Sequence, residues 1–186
     1  MLNVPADRRG IIASNDSAAL AGFKKLREQN FKTNAAKKAK AYHILHNSKR
    51  PSPNLNDGNA STFETIDGSQ LNFASLDFEK PQTINCIALR EYLNNGQHCK
   101  KFAILLMNKK HELLRKIEGT TIGRKRIITF PSTTVDLITL SLEDQNGNTA
   151  ISEIEAYLIN ETLVEDQPIS SPLAEQVGKF LSVSGN

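Results

Sequence analysis

Apolar positions change their period once along this chain. Ala19, Leu20, Phe23 and Leu26 fall near helical spacing, with Lys24, Lys25, Arg27 and Glu28 between them. That spacing predicts a helix over about 16–29. Asn15-Asp16-Ser17 supplies candidate N-caps, because a short polar side chain accepts from the free N–H groups of a first helical turn. Ahead of it, Leu2-Asn3-Val4-Pro5 reads as the tail of a strand entering a loop. Lys32 to Lys40 reads as a polar, basic connector, and Pro51-Ser52-Pro53-Asn54-Leu55-Asn56-Asp57-Gly58-Asn59 is dense in turn residues.

From Ala41 onwards the period is that of strands. Leu71–Phe78, Ile84–Leu89, Phe102–Met107, Glu112–Ile117, Arg126–Phe130, Val135–Leu142 and Ile151–Leu158 are short apolar segments, several with alternation. Asn94-Asn95-Gly96, Asn108-Lys109-Lys110, Gly119, Gly123, Pro131 and Gln145-Asn146-Gly147-Asn148 separate them. Strands with turn signals at roughly 8–12-residue intervals predict an all-β sandwich or barrel. A parallel sheet needs helical crossovers, and these gaps are too short for them. Beyond Asn160 come Pro168, Pro172 and an apolar-spaced stretch, Leu173 to Leu181, readable as a short terminal helix or a disordered end.

Composition narrows the function classes. Lys and Arg number 23 and Asp and Glu 20, a net charge of +3, and 39% of residues are hydrophobic, which argues against disorder. No run approaches the ~20 apolar residues of a membrane span, and the first residues lack the basic start and apolar core of a signal peptide. The cluster Lys32, Lys37, Lys38, Lys40, Lys49 and Arg50 is interleaved with few aromatic residues and carries no nucleic-acid motif, so it reads as a solvated connector. Neither nucleic acid nor membrane is an expected partner. His43, His46, His98 and His111 have no zinc-protease spacing, and there is no Gly-x-Ser-x-Gly elbow. They read as surface or half-buried histidines. Cys86 and Cys99 read as two unrelated thiols; a bridge between them would need Cα atoms within about 7 Å.

The loop 54–62 carries more information. Asp57, Asn59 and Thr62 gather oxygen atoms around the sharp turn at Gly58. Hard Ca²⁺ takes six to eight oxygens, yet an Asp-Gly pair is also an ordinary turn, and the residues alone leave both readings open.

Two ordered stretches supply a context. Leu2-Asn3-Val4-Pro5-Ala6-Asp7-Arg8-Arg9-Gly10-Ile11-Ile12 resembles the LNVPPDRRG phrase that follows the last barrel strand in α-L-fucosidases of glycoside hydrolase family 29. The helix that comes next in that family fits Asp16 to Phe31. Further on, Leu76-Asp77-Phe78, Pro81-Gln82-Thr83-Ile84, Leu89-Arg90-Glu91-Tyr92, Gly96-Gln97 and Lys101-Phe102 are similar to the C-terminal sandwich of the same enzymes. Gly119 to Ile127 and Ile151-Ser152-Glu153-Ile154 continue the match in order.

The resemblance implies an antiparallel jelly-roll β-sandwich of the discoidin type. It implies residues 1–34 as the end of a catalytic barrel, 35–160 as the sandwich and 161–186 as a tail. The family's nucleophile and acid/base carboxylates lie earlier in the barrel, so no catalytic residue carries over and the chain is expected to be inactive alone. Its implied role is that of an accessory domain docked on the barrel. In discoidin-type folds an Asp-Gly-Asn turn, a following Thr and a Glu near a Ser-Glu-Ile sequence hold a structural Ca²⁺; here these are Asp57, Asn59, Thr62 and Glu153. The Trp usual after the Thr is replaced by Phe63, which keeps an apolar plug and loses the indole donor. The alternative is an independent module binding fucosylated glycans through Asn94, Asn95 and Gln97 in one loop and Asn146 and Asn148 in another. With no Trp in the chain, an aromatic sugar platform is not expected. Family members usually act outside the cytoplasm, which implies an extracytoplasmic setting.

Overall fold

The computed structural model describes residues 14–46, 48–67 and 72–165. The expected strand tail at Leu2–Pro5 and the terminal stretch Leu173–Leu181 lie outside these residues. The chain divides between Thr33 and Asn34 into two compact units. In the first, α1 spans Ser14–Asn30 and starts ahead of the expected cap residues. Its end is closed by Asn30, whose side-chain amide donates to the Leu26 carbonyl. Phe23 and Leu26 are half exposed, at 53% and 48%.

The second unit is an antiparallel β-fold. β1 spans Ala39–Leu45, β2 Ser48–Pro51, β3 Glu64–Ile66, β4 Asn72–Glu91, β5 Cys99–Met107, β6 Leu113–Gly119, β7 Arg126–Gln145 and β8 Thr149–Tyr157. The stretch read as a basic connector contains a one-turn 3-10 helix, Ala35–Lys38, and Asn34 accepts from Ala36 N–H to cap it. The ladder runs β2-β1-β4-β7-β5-β6, and β8 joins β3 to β4.

Two strands expected on each side of Pro81 are one continuous strand, β4, and those on each side of Pro131 are one strand, β7. A proline lacks the N–H that a ladder needs. Both prolines escape that cost, because the β4–β7 register is interrupted at the same places: it skips between Asp77 and Gln82, and between Thr129 and Thr133. The interruptions divide each long strand between two layers. The first part of β4 pairs with β1 through Asn72–Phe78, and its last part pairs with β8 through Cys86–Glu91. The second part of β7 likewise pairs with β5. One layer is thus β2-β1-β4-β7-β5-β6, and the other is β3-β8-β4-β7. Leu76, Phe78, Phe102, Ile104, Ile138 and Leu140 from the first share a single buried cluster with Ile87, Leu89, Ile128, Phe130, Ile151 and Ile154 from the second. The result is the expected sandwich.

Basic residues of the former connector are paired across its edge. Lys40 meets Glu79 at 3.0 Å, Lys49 meets Asp77 at 3.2 Å and lies over the Tyr42 ring, and Arg50 meets Glu64 at 2.8 Å. Cys86 and Cys99 are buried free thiols, and burial pushes both up to about 12, which keeps them protonated. No helix among the described residues is long and apolar enough to cross a membrane.

Gly119, read from sequence as a turn, closes β6 opposite the buried Phe102. A Cβ there would lie 2.3 Å from Phe102 Cζ, so the missing side chain is the space the ring fills. Gly119→Ala is expected to lower stability by roughly 1–3 kcal/mol, the usual cost of overpacking, read as a fall in the urea midpoint. An unchanged midpoint would show that the ring moves aside freely.

Candidate functional site

The loop after β2 is built around its own polar atoms. Asp57 Oδ1 accepts from Asn59 N–H at 2.7 Å, and Asp57 Oδ2 accepts from Thr62 Oγ1 at 2.7 Å. Thr62 Oγ1 lies 2.8 Å from the Asn59 carbonyl oxygen, and Asn59 Oδ1 accepts from Ser61 N–H at 3.1 Å. Gly58 turns the chain with φ +85°, a conformation that suits glycine. Its N–H donates 2.7 Å to Glu153 Oε1, a residue 95 positions away on β8. Three of the four expected metal residues are therefore neighbours by sequence, and the fold brings the fourth to them.

Glu153 is 1% exposed, and its Oε2 has no hydrogen-bond partner. Burial first, then contact with the Asp57 carboxylate, pushes its carboxyl up to about 7. Burial also works against the charge on Asp57. Donors at Thr62 and Asn59, the Glu153 carboxyl and the Lys37 ammonium outweigh it, so Asp57 sits below the ordinary carboxylate range. Glu153 therefore holds a proton more tightly than an ordinary carboxyl, and Asp57 less tightly. Lys37, which the sequence reading placed on a solvated connector, has its ammonium beside Gly58. No group of three or more His, Cys, Asp or Glu residues is placed to hold a metal among the described residues; the expected set has two carboxylates, one amide and one hydroxyl. The orphaned buried oxygen of Glu153 and this all-oxygen donor set fit a hard cation.

A cleft of about 420 Å³ adjoins this loop. Ser61, Arg90, Tyr92, Asn94, Arg124 and Ser152 are among its walls. Tyr92 stacks on Phe63, ring centres 4.5 Å apart, and its hydroxyl accepts from Asn94 Nδ2 at 2.7 Å. Phe63, expected as an apolar plug, is half-buried beneath this tyrosine. Glu91, 4% exposed, accepts from the backbone N–H groups of His98, Cys99 and Gly123 and so holds the cleft's rear wall together.

The two loops nominated for sugar contact meet through His98. Its Nε2 lies 2.9 Å from the Asn95 carbonyl and its Nδ1 contacts the Asn146 carbonyl, while Asn146 N–H donates back to the His98 carbonyl. Of the five amide residues only Asn94 is among the cleft's walls. Asn95 and Asn146 contribute backbone carbonyls, and Gln97 and Asn148 are exposed. His98 was legible only as a surface or half-buried histidine, because its partners are backbone atoms 3 and 48 positions away.

His43 departs from the reading of surface or half-buried histidines. His43 is 5% exposed in β1, with Nδ1 at 2.9 Å from Glu64 Oε1 and Nε2 on Asn72 Oδ1. Ser52 Oγ donates to the other Glu64 oxygen at 2.6 Å, so its proton is aimed at the carboxylate and not at the imidazole. This arrangement braces β1, β2 and β3 and is not a nucleophile–base pair. Burial raises the Glu64 carboxyl, but donation from Ser52 and His43 and the Arg50 charge outweigh it and hold it below its ordinary value.

No protein-family model matches the chain. Among curated proteins it is 28% identical over 159 residues to a protein of Oryza sativa subsp. japonica carrying an alpha-L-fucosidase name, covering 82% of this chain and 30% of that one. Among solved structures it is similar to a Ruminococcus gnavus GH29 fucosidase in complex with fucose, with TM-score 0.67 and 26% identity, over 88% of this chain and 34% of that one. A Streptococcus pneumoniae fucose binding module shares the fold, with TM-score 0.55 and 13% identity, over 67% of this chain and 94% of that one. The chain spans about a third of the length of the fucosidases it matches. It fits the C-terminal part of such an enzyme, as the two ordered stretches imply.

The His98 contacts give a pH dependence. The Asn146 and Asn95 carbonyls, both obligate acceptors, favour the imidazolium and raise His98 above its ordinary 6.5. Glu91, the nearby charge, acts the same way. A raised folded value means stabilisation that is fully present below 6.5 and is lost as pH rises past the folded value. The urea midpoint should therefore fall more steeply as pH rises above 6.5 in the unaltered chain than in His98→Ala. Identical slopes would remove the clamp.

Proposed function

We propose that this chain is the non-catalytic C-terminal accessory domain of an α-L-fucosidase, docking on and stabilising the catalytic barrel of the parent enzyme. The observation that carries this reading is the likeness, along most of the chain, to about a third of family 29 fucosidases. The exposed Phe23 and Leu26 of α1 support it, since half-exposed large apolar side chains gain by being covered. The Asp57–Glu153 pair does not serve as a glycosidase dyad. Retaining glycosidases set their two carboxyl groups on either side of an open sugar site, whereas Glu153 is buried, at 1% exposure, under the Asp57 loop.

In this reading Asp57, Asn59, Thr62 and Glu153 hold a structural Ca²⁺. When bound, the cation supplies the positive charge that lets both carboxylates ionise side by side. Glu153 fixes the loop through Gly58 N–H, Thr62 and Asn59 orient Asp57, and Lys37 adds positive charge near the same turn. An extracytoplasmic setting agrees with such a site, because extracellular modules bind Ca²⁺ at roughly 10⁻⁴–10⁻³ M.

One observation favours a second reading, in which the domain directs its parent to fucosylated glycans. It is the cleft of about 420 Å³ next to the Asp57 loop, and fold likeness to a fucose binding module agrees with it. Asn94 is the residue of the nominated set best placed to serve it.

The purified chain is expected to release no 4-nitrophenol from an aryl α-L-fucoside; saturable release would overturn the non-catalytic reading. Added to a family 29 barrel stripped of its own C-terminal third, it should raise the barrel's Tm, and no shift would reject docking. For the metal, Ca²⁺ added after chelation should raise the chain's own stability by about 2.7 kcal/mol at a hundredfold excess over Kd. Glu153→Gln should lose that increment. At pH 8 in chelator it should also be more stable than the unaltered chain, because the amide keeps an acceptor for Gly58 N–H and gives Asp57 a donor. A Ca²⁺ response retained in Glu153→Gln would rule out this ligand set.

A further inference from the structure

The cleft beside the Asp57 loop carries more positive charge than the fold uses. Arg124 is exposed on its wall and makes no hydrogen bond or ion pair among the described residues. Arg90, 28% exposed, has one ion pair, to Glu155 at 3.6 Å, and Glu155 is also held by Lys125 at 2.6 Å. The carboxylate in the wall, Glu91, is buried and accepts from the backbone N–H groups of His98, Cys99 and Gly123. Two arginines thus line one space, and the second of them, Arg124, has no partner of its own among the described residues. Arginine forks match carboxylate and sulfate oxygens in a bidentate manner.

The remaining walls have a different chemistry. Ser61 and Ser152 offer hydroxyl groups, Asn94 an amide, and Tyr92 a ring backed by Phe63. Hydroxyl and amide groups suit the hydroxyls of a sugar, and an aromatic face suits its C–H face. A volume of about 420 Å³ accommodates one or two sugar rings. A free inorganic anion would leave most of this lining unused, and a neutral sugar would leave the Arg124 charge unanswered.

We propose that this cleft binds an acidic sugar, its carboxylate or sulfate group between Arg90 and Arg124 and its ring beside Tyr92. The inference rests on the glycan-binding reading of the cleft and names the class of ligand; it is independent of the docking and Ca²⁺ readings.

Calorimetric titration of the full chain tests it, with D-glucuronate, galactose 6-sulfate, L-fucose and inorganic sulfate as probes at low salt. Saturable binding of either acidic sugar is expected, weakening as salt rises. Loss of one charged hydrogen-bonding partner should cost roughly tenfold or more. Arg124→Ala, at an exposed position without partners, should show that loss with an unchanged Tm, and Arg124→Lys should recover part of it. The uronate and sulfate arms identify which acidic group fits. L-fucose binding as tightly as the acidic sugars, indifferent to Arg124→Ala, would sink this proposal and keep the neutral glycan reading. Inorganic sulfate binding as tightly as the sulfated sugar would remove the saccharide from it. Silence from every probe would overturn both.

Discussion

The structure of the second unit depends on β4 changing its partner halfway along. One long strand holds β7 on one side throughout and exchanges β1 for β8 on the other. The exchange happens where Glu79, Lys80 and Pro81 are exposed and the register to β7 skips. Because antiparallel pairing is local, each half of β4 recruits its own set of neighbours, and the two sets close on one apolar cluster. Buried polar side chains secure the crossover. Asn85, wholly buried, donates to the Ile159 carbonyl at 2.9 Å and accepts from Ile159 N–H at 2.7 Å, standing in for a strand that is absent there.

The same constraint builds the functional end. The last residues of β4, Arg90 and Glu91, lie beside β8, in register with Glu153 and Ile151. The loop at Asp57 has to reach the same end because β3 pairs with β8 just beyond it. Glu153 is then buried between the core and that loop. Its acceptor serves Gly58 N–H, while its other oxygen has no partner. A buried carboxylate is costly without compensation, so protonation or a cation at this point is dictated by where β8 lies and not by the loop itself. The arginines of the cleft follow from similar geometry: Arg90 ends a buried strand and Arg124 sits on the turn that Glu91 holds through Gly123 N–H.

Much of the fold was legible because strand alternation and turn residues are local signals. The seven apolar segments fall, within a residue or two, on β4, β5, β6, β7 and β8, but the segments on either side of Pro81 and of Pro131 were read as separate strands. A break in the ladder and a break in the strand look alike in one dimension; only the partner's register tells them apart. β3 was missed because three residues are too few for a period to show, and the one-turn helix at Ala35–Lys38 rests on a side-chain cap and not on a periodic face. At the site, Asp57, Asn59 and Thr62 were legible as a tight cluster of oxygens. The roles of Lys37, Glu91, Arg90, Arg124 and His98 were not, since the first, third and fourth depend on neighbours far off in sequence, and Glu91 and His98 on backbone groups that carry no residue identity.

By itself the sequence determined the change from helical to strand period, the antiparallel all-β class, the polar turn at Asp57-Gly58-Asn59 and the ordered phrases that resemble a family 29 fucosidase. These are carried by neighbouring side chains and by the order of short segments. Tertiary structure alone decided that β4 and β7 run through their prolines and that Glu153 meets Asp57 with one oxygen unsatisfied. It also decided that His98 joins two loops and that two arginines share a cleft. The physical reason is common to all of them. Register and burial set the distance between residues that are remote in the chain, and at those distances an ordinary turn, a surface histidine and an unremarkable arginine acquire their chemistry.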